Sequence, residues 1–484
     1  MSQKIKPLFL CAAWIAEAGL GSSIAQAELH HQPTTKPSVE HVALASQAGA
    51  SLDTDLLSGG GTDDTAILQR LLNRAADGKG IHLIVDGPAL VSGLSVYGKT
   101  TIECTAGGGF YLKDGSLGAV IRNVHRSRDA ILDEHIDIRG CFINGNRKGQ
   151  PRSLGPDSSP LRYVQEADGT FRSAIQFFGV RYLTIENVTL WGAHGFHSWI
   201  ANAKFISIRN VLVDSGIPAF PDHASLAEQK EWTRKHGTND DGLHFTGPIQ
   251  YLLVDGAKLH TWDDNISICA NDWGLNADDM TVKNEMGPYV GQGPITDVII
   301  SNVIFMDSFK GIRMLSSNQR MDRILFQNIT GTNRERFAML SRMANRGRGN
   351  FGSITFSNVN IDAAPHPHWS ELHGNADTQP DASRTIYLEE NELPLFSLNA
   401  RIDSLQLNDV VTRPVDSRPI IRVGPGAAIG MLKATLSIYA PDARTVPLKV
   451  LGRIEHAKLA LDWPSASPIE YEGGTIDRLD WVAN

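Results

Sequence analysis

Two pairs of adjacent carboxylates interrupt otherwise apolar, strand-like sequence: Asp240 and Asp241 in "GTNDDGLHF", and Asp263 and Asp264 in "TWDDNISICA". Successive strand side chains point to opposite faces, so a charged pair beside Ile and Cys requires a turn of the backbone. Asp241 and Asp263 are 22 residues apart. If that interval is one turn of a repeat, the acids stack about 4.8 Å apart on one face. Crowded carboxylates push one pKa up and leave another low, so a proton donor and an ionised base arise from one residue type. Glycoside hydrolysis needs both, one carboxyl to protonate the departing oxygen and another to activate water or attack. Arg313, in "KGIRMLSS", follows Asp264 by 49 residues, again a whole number of turns, and is expected to position substrate and keep carboxylates ionised. Asn239 and His244 flank the first doublet and are further candidate substrate contacts. A lone Asp-Asp pair is ordinarily a solvated turn; two doublets a turn apart, followed by Arg313, argue for a site. Alternation turns Asp240 away from Asp241.

Long segments flank both doublets. "SGIPAFPDHASLAEQKEWTRKHG" precedes the first and "NDWGLNADDMTVKNEMGPYVGQG" follows the second, so both are expected as loops rising beside the acids. They carry Trp232, Trp273 and Tyr289, and Trp262 adjoins Asp263. Trp262 and Trp273 are candidates for stacking on sugar rings, against the alternative of packing beneath the loops. His194 and His197 lie one turn before the acids, and His366, His368 and His373 lie in a Pro-rich segment. The first pair has a spacing that could serve a metal but reads as polar loop histidines, the second group lacks strict ligand spacing, and no metal is expected.

The elements that would position these residues are repeats. An apolar/polar alternation, a pivot of Asn or Gly, and a second apolar strand recur in "YLTIENVTL", "FISIRNVLV", "YLLVDGAKL", "DVIISNVIF", "RILFQNITG", "SITFSNVNI" and "SLQLNDVV". The pivots Asn187, Asn210, Gly256, Asn302, Asn328, Asn358 and Asn408 are mostly spaced by one or two units of about 23–25 residues, the period of a solenoid. Ile and Val at period two form strands, and Asn or Gly accepts the left-handed backbone of a sharp corner. The expected fold is all-β, a single-stranded parallel β-helix, with a helix from "TDDTAILQRLL" as its N-terminal cap and Asp63 and Asp64 as helix-start residues.

"GGTDDTAILQRLL" together with the repeats resembles the pectate-lyase superfamily of right-handed parallel β-helices, which implies the fold but not the reaction. The acidic constellation resembles the polygalacturonases of glycoside hydrolase family 28. That family carries Asn-Thr-Asp, then Asp-Asp about one turn later, then Gly-His-Gly and Arg-Ile-Lys. Asn239 and Asp241 match the first motif, Asp263 and Asp264 the second, and Arg313 the last. The resemblance implies that Asp263 is the general acid, that Asp241 and Asp264 activate water, and that the anomeric centre inverts. Leu315 stands at the family's uronate-binding Lys and no Gly-His-Gly intervenes, which implies a related hydrolase acting on a different sugar.

The net charge of -8 is spread along the chain, without a basic stripe, which argues against nucleic acid as partner. Lys4 and Lys6, an apolar run and Ala25-Gln26-Ala27 predict a cleaved signal at 1–27 and a secreted or periplasmic protein free of the membrane; a linker at 28–50 and one catalytic domain at 51–484 follow. Of the remaining cysteines, Cys104 and Cys141 permit one bridge, or all three stay as buried thiols. The expectation is a monomeric glycosidase needing no cofactor and acting on a polysaccharide or oligosaccharide. Two alternatives stand beside it: a lyase in which the same acids bind Ca²⁺, and a solenoid that holds glycan without cutting it.

Overall fold

Alternating apolar residues become columns once the chain is wound. Ile206, Leu252, Val298, Ile324, Ile354 and Leu405 occupy equivalent places in successive turns; Ile208, Val254, Ile300, Phe326, Phe356 and Leu407 form the next inward column. All belong to one continuous core. Each such side chain contributes about 1.5–3 kcal/mol by leaving water, and stacking is what removes it from water. The computed structural model describes residues 39–116, 118–150, 166, 168, 170–237, 239–270, 287–342, 347–364, 393–414, 417–439, 445–463 and 468–482. Its strands pair in parallel as an all-β right-handed solenoid. Among the described residues no helix is long and apolar enough to cross a membrane.

Two ladders matter for the site. Long strands, among them Phe196–Asp214, Leu243–His260, Ile295–Ser308, Met321–Asn333 and Phe351–Ala363, carry the columns around a corner. Short strands Asp264–Cys269, Lys310–Leu315, Ala338–Ser341 and Phe396–Asn399 stack on a second face, continuing the first part of Leu243–His260.

The corners are left-handed as expected. Asn187, Asn210, Asn302, Asn328 and Asn358 have φ between 49° and 57°, and Gly256 has φ 77°. Their amides bond up the stack, from Asn210 to Asn187 at 3.3 Å, Asn328 to Asn302 at 3.0 Å and Asn358 to Asn328 at 2.8 Å. At Gly256 the ladder passes to Asp255, which accepts from Asn302 at 2.6 Å. In the later turn the left-handed residue is Asp409 rather than Asn408, because Asn408 pairs with Ser357 and so sits one place before the corner. Asn328→Ala removes two ladder bonds and places a non-Gly, non-Asn residue in the left-handed region; it should cost about 1–2 kcal/mol, read as a lower urea midpoint. Asn328→Gly should recover the backbone share of that loss.

The helix Thr65–Leu72 buries Leu68, Leu71 and Leu72 in the core. Asp63 accepts from the Thr65 N–H at 3.0 Å, whereas Asp64 turns back to the preceding loop and accepts from the N–H groups of Ser51 and Leu52 at 2.7 and 2.9 Å. The solenoid begins before residue 51, since His41–Leu44 pairs with Ile81–Ile84; a strand of four residues is too short to declare a period, which is why it read as linker. Cys104 and Cys141 form a disulfide and Cys269 is a buried thiol. The segment before the first doublet is not wholly loop: Leu226–His236 is a helix with a Ser225/Glu228 capping box. Residues 1–27 lie outside the described residues.

Candidate active site

Leu243 pairs with Ile266, which sets one turn at 23 residues here. Asp241 therefore lies under Asp264, whose N–H reaches Asp241 Oδ1 at 3.4 Å, and Asp240 lies under Asp263. On the next turn Asp264 pairs with Lys310, while Arg313 stands above Ser267. The expected equivalences, Asp241 with Asp263 and Asp264 with Arg313, are thus off by one and three residues, because turns differ in length where segments are inserted. The side chains nonetheless converge. One carboxylate oxygen from each of Asp241, Asp263 and Asp264 lies within 4.8 Å of the others.

The three are nearly inaccessible, at 2 %, 5 % and 0 % exposure for Asp241, Asp263 and Asp264. Each has a different partner. Asp263 Oδ1 accepts from Lys310 Nζ at 2.9 Å, and Asp264 Oδ2 from Arg313 Nη1 at 3.1 Å. Asp241 Oδ2 lies 2.7 Å from His244 Nδ1. Burial pushes the His244 imidazole down to about 3, so the ring is neutral and this contact is a hydrogen bond rather than an ion pair. The ring stacks on Phe196 at 4.0 Å between centroids. Burial and the nearby Asp263 carboxylate hold Asp241 well above the usual range. Burial raises Asp264 to about 7, against the pull of Arg313. Glu335, also buried, places Oε2 3.9 Å from Lys310 Nζ and pairs with Arg336.

A carboxyl whose native pKa is raised leaves the folded state holding more protons than the unfolded state between about pH 4 and 7. Its contribution to stability therefore falls as pH rises through that window, while the buried His244, held neutral, contributes in the opposite sense. Asp264→Asn should accordingly gain thermal midpoint relative to wild type as pH rises from 4 to 7.

No family model matches this sequence, and no curated protein matches it. Solved structures do match. The family 28 exopolygalacturonase of Yersinia enterocolitica aligns with TM-score 0.55 at 12% identity, over 91% of this chain and 78% of that one. The two share a fold, the parallel β-helix. The hyperthermoactive exopolygalacturonase of Thermotoga maritima aligns with TM-score 0.48 at 13% identity, over 96% of each chain. The A-module of the mannuronan C-5 epimerase of Azotobacter vinelandii aligns with TM-score 0.49 at 12% identity, over 90% of this chain and 99% of that one.

Within this parallel β-helix the remaining candidates separate. Asn239 has a buried Oδ1 with no partner among the described residues. The Trp262 ring, 3 % exposed, packs with Phe220, Phe309 and Trp232 beneath the inserted helix, so packing accounts for it rather than a sugar-stacking face. Tyr289 lies under the Arg126 guanidinium, 4.2 Å from ring centroid to Cζ. Leu315 packs with Cys269 and Met339. His197 reaches the backbone carbonyls of Asp241 and Asp214 at 3.2 and 3.3 Å. Trp273, His366, His368 and His373 lie outside the described residues.

Lys310, Glu335 and Arg147 belong to the site's surroundings and were missed. Two of them left a signal: Lys310 opens the same short apolar strand as Arg313, and "NRERFAML" sets charges directly before a core strand.

Proposed function

We propose that this protein is a glycoside hydrolase that cleaves a polysaccharide or oligosaccharide by carboxylate acid/base catalysis. The observation that carries the reading is the pairing of three buried carboxylates within 4.8 Å: Asp263 with Lys310, Asp264 with Arg313 and Asp241 with a neutral His244. Two acids face cations and the third does not, so the resting proton belongs to Asp241. Asp241 then supplies the proton and Asp263, paired with Lys310, the acceptor, the complement that hydrolysis of an acetal requires.

Water attacks the anomeric carbon as the bond to the leaving oxygen breaks. That oxygen takes the Asp241 proton, and the attacking water gives its proton to Asp263, the most exposed of the three. These roles exchange Asp241 and Asp263 relative to those that the resemblance implies. Arg313 and Lys310 hold the negative charge in place, and the Asn239 Oδ1, without a partner among the described residues, is the acceptor offered to a sugar hydroxyl. Nearest oxygens within 4.8 Å are closer than the about 6.5–9.5 Å usual between inverting carboxyls. Inversion is therefore to be tested by following the anomer formed first with proton NMR. Leu315, packed between Cys269 and Met339, supports a sugar other than galacturonate. The Cys104–Cys141 disulfide supports export to an oxidising compartment, where the enzyme would act as a monomer.

The lyase reading draws on the same spacing, since three carboxylates this close offer oxygens to Ca²⁺. Against it, the Lys310 ammonium 2.9 Å from Asp263 and the Arg313 guanidinium 3.1 Å from Asp264 already supply the positive charge a metal would bring. The residues do not fit calcium. The test is release of reducing ends from acidic and neutral polysaccharides, with chelator and with added Ca²⁺. Activity unchanged by chelator is expected. Activity lost in chelator and restored by Ca²⁺ contradicts the reading, as does glycan binding with no product.

A further inference from the structure

Asp240 neighbours the reacting acids yet takes no part in the chemistry proposed for them. It is fully buried and turned away from Asp241. One oxygen, Oδ1, accepts from two backbone donors, the N–H of Trp262 at 3.0 Å and of Asp263 at 3.2 Å. The other, Oδ2, accepts from Arg147 Nη1 at 2.9 Å. Arg147 is itself buried, and its Nη2 donates to the carbonyl of His236, the last residue of the inserted helix.

A buried ion pair is poor evidence for stability, because desolvation offsets its attraction. What distinguishes this one is the segment it grips. Residues 261–263 form the turn that delivers Asp263 to the site, and the next turn of the solenoid holds the same segment from above. There the Lys310 N–H donates to the Asp263 carbonyl at 3.2 Å and the Phe309 N–H to the Thr261 carbonyl at 3.4 Å. Those upper bonds are the generic ladder of any parallel β-helix, whereas the lower grip is made by one side chain. The helix Leu226–His236 touches the same segment a second way, through Trp232 against Trp262 at 4.4 Å between centroids.

We propose that Arg147 and Asp240 are a positioning pair that fixes the backbone of Asp263 and ties it to the end of the inserted helix, so that docking of that helix sets the place of a reacting carboxylate. The proposal rests on the reading of Asp263 as part of the reacting site. Neither residue touches substrate; both act through Asp263.

Asp240→Asn is isosteric and keeps an acceptor for the backbone while removing the charge that holds Arg147. Its kcat should fall about 10- to 100-fold, with KM changed by less than about threefold, since misplacing a reacting group by about 1 Å costs that much. Independently of any substrate, amide exchange in a peptide spanning residues 261–265 should become about tenfold faster, as expected when the acceptor for those amides is neutral and no longer anchored by Arg147. Arg147→Lys keeps a cation but cannot make both bonds, and should lie between wild type and Asp240→Asn on both readouts; it replaces Asp240→Asn if that variant does not fold. Unchanged exchange at 261–265 overturns the proposal, as does full kcat in Asp240→Asn when Asp263→Asn is inactive. Full activity in Asp263→Asn instead overturns the assignment of the reacting acids, and exchange still judges the pair.

Discussion

Asp241→Asn, Asp263→Asn and Asp264→Asn should each lower kcat by about 10³-fold, within the range that a positioned acid or base contributes. The same variants should remain folded, and two of them should gain stability. Asp241 and Asp264 are buried carboxyls whose pKa values are raised, so the native state resists their ionisation. At pH 8 an Asn in either place removes that resistance, and the thermal midpoint should equal or exceed that of wild type. Asp263→Asn removes the carboxylate nearest Lys310, 2.9 Å away. Removing its charge leaves the ammonium to Asp264 and Glu335, each 3.9 Å away, and should lower stability slightly. Steady-state rates and thermal midpoints on the same preparations check both halves. A structural acidic cluster would give the opposite pattern, with rates preserved and stability lost.

Lys310→Met should lower kcat by about 10²-fold, a loss typical of removing one electrostatic contact in a buried site. Lys310 touches Asp263 directly and lies within 3.9 Å of Asp264 and Glu335, so it is the cation shared by the acids. It also pulls down both Asp241 and Asp264. Without it these carboxyls hold their protons to higher pH, and any limb of the kcat/KM profile that reports a carboxyl becoming a base should move upward in pH. Lys310→Arg should restore much of the rate and return the limb toward its wild-type position. A profile that keeps its shape in Lys310→Met would place Lys310 outside the charge balance of the site.

The fold was legible because its period is written in short-range chemistry. Ile or Val at alternate positions, followed by Asn at a left-handed corner, repeats often enough that one exception, Asp409 in place of Asn408, does not obscure it. The doublets were legible for the same reason, since one turn of 23 residues brings Asp241 under Asp264. Lys310 was hidden by an approximate period. It stands 46 residues after Asp264 and Arg313 stands 49 after it, both close to two repeats, so counting reached Arg313 and passed over the lysine in register with Asp264. Arg147 was hidden by distance, because it meets Asp240 across 93 residues and several turns. Trp262 illustrates a different limit. Its place beside Asp263 suggested a sugar platform, but whether an aromatic ring meets ligand or core depends on what packs over it, and here Phe220, Trp232 and Phe309 do. The helix Leu226–His236 could have been found from Ser225 and Glu228, whose spacing is that of a capping box.

The measurement that bears most directly on the central claim is mass spectrometry of the products formed from a panel of acidic and neutral polysaccharides in ¹⁸O water. Hydrolysis by the three-carboxylate site predicts saturated fragments that have each gained one water and carry the label, with none formed by Asp263→Asn. Unlabelled, unsaturated fragments would mean elimination, and would contradict the assignment of Asp241, Asp263 and Asp264 as the acid and bases of a hydrolase.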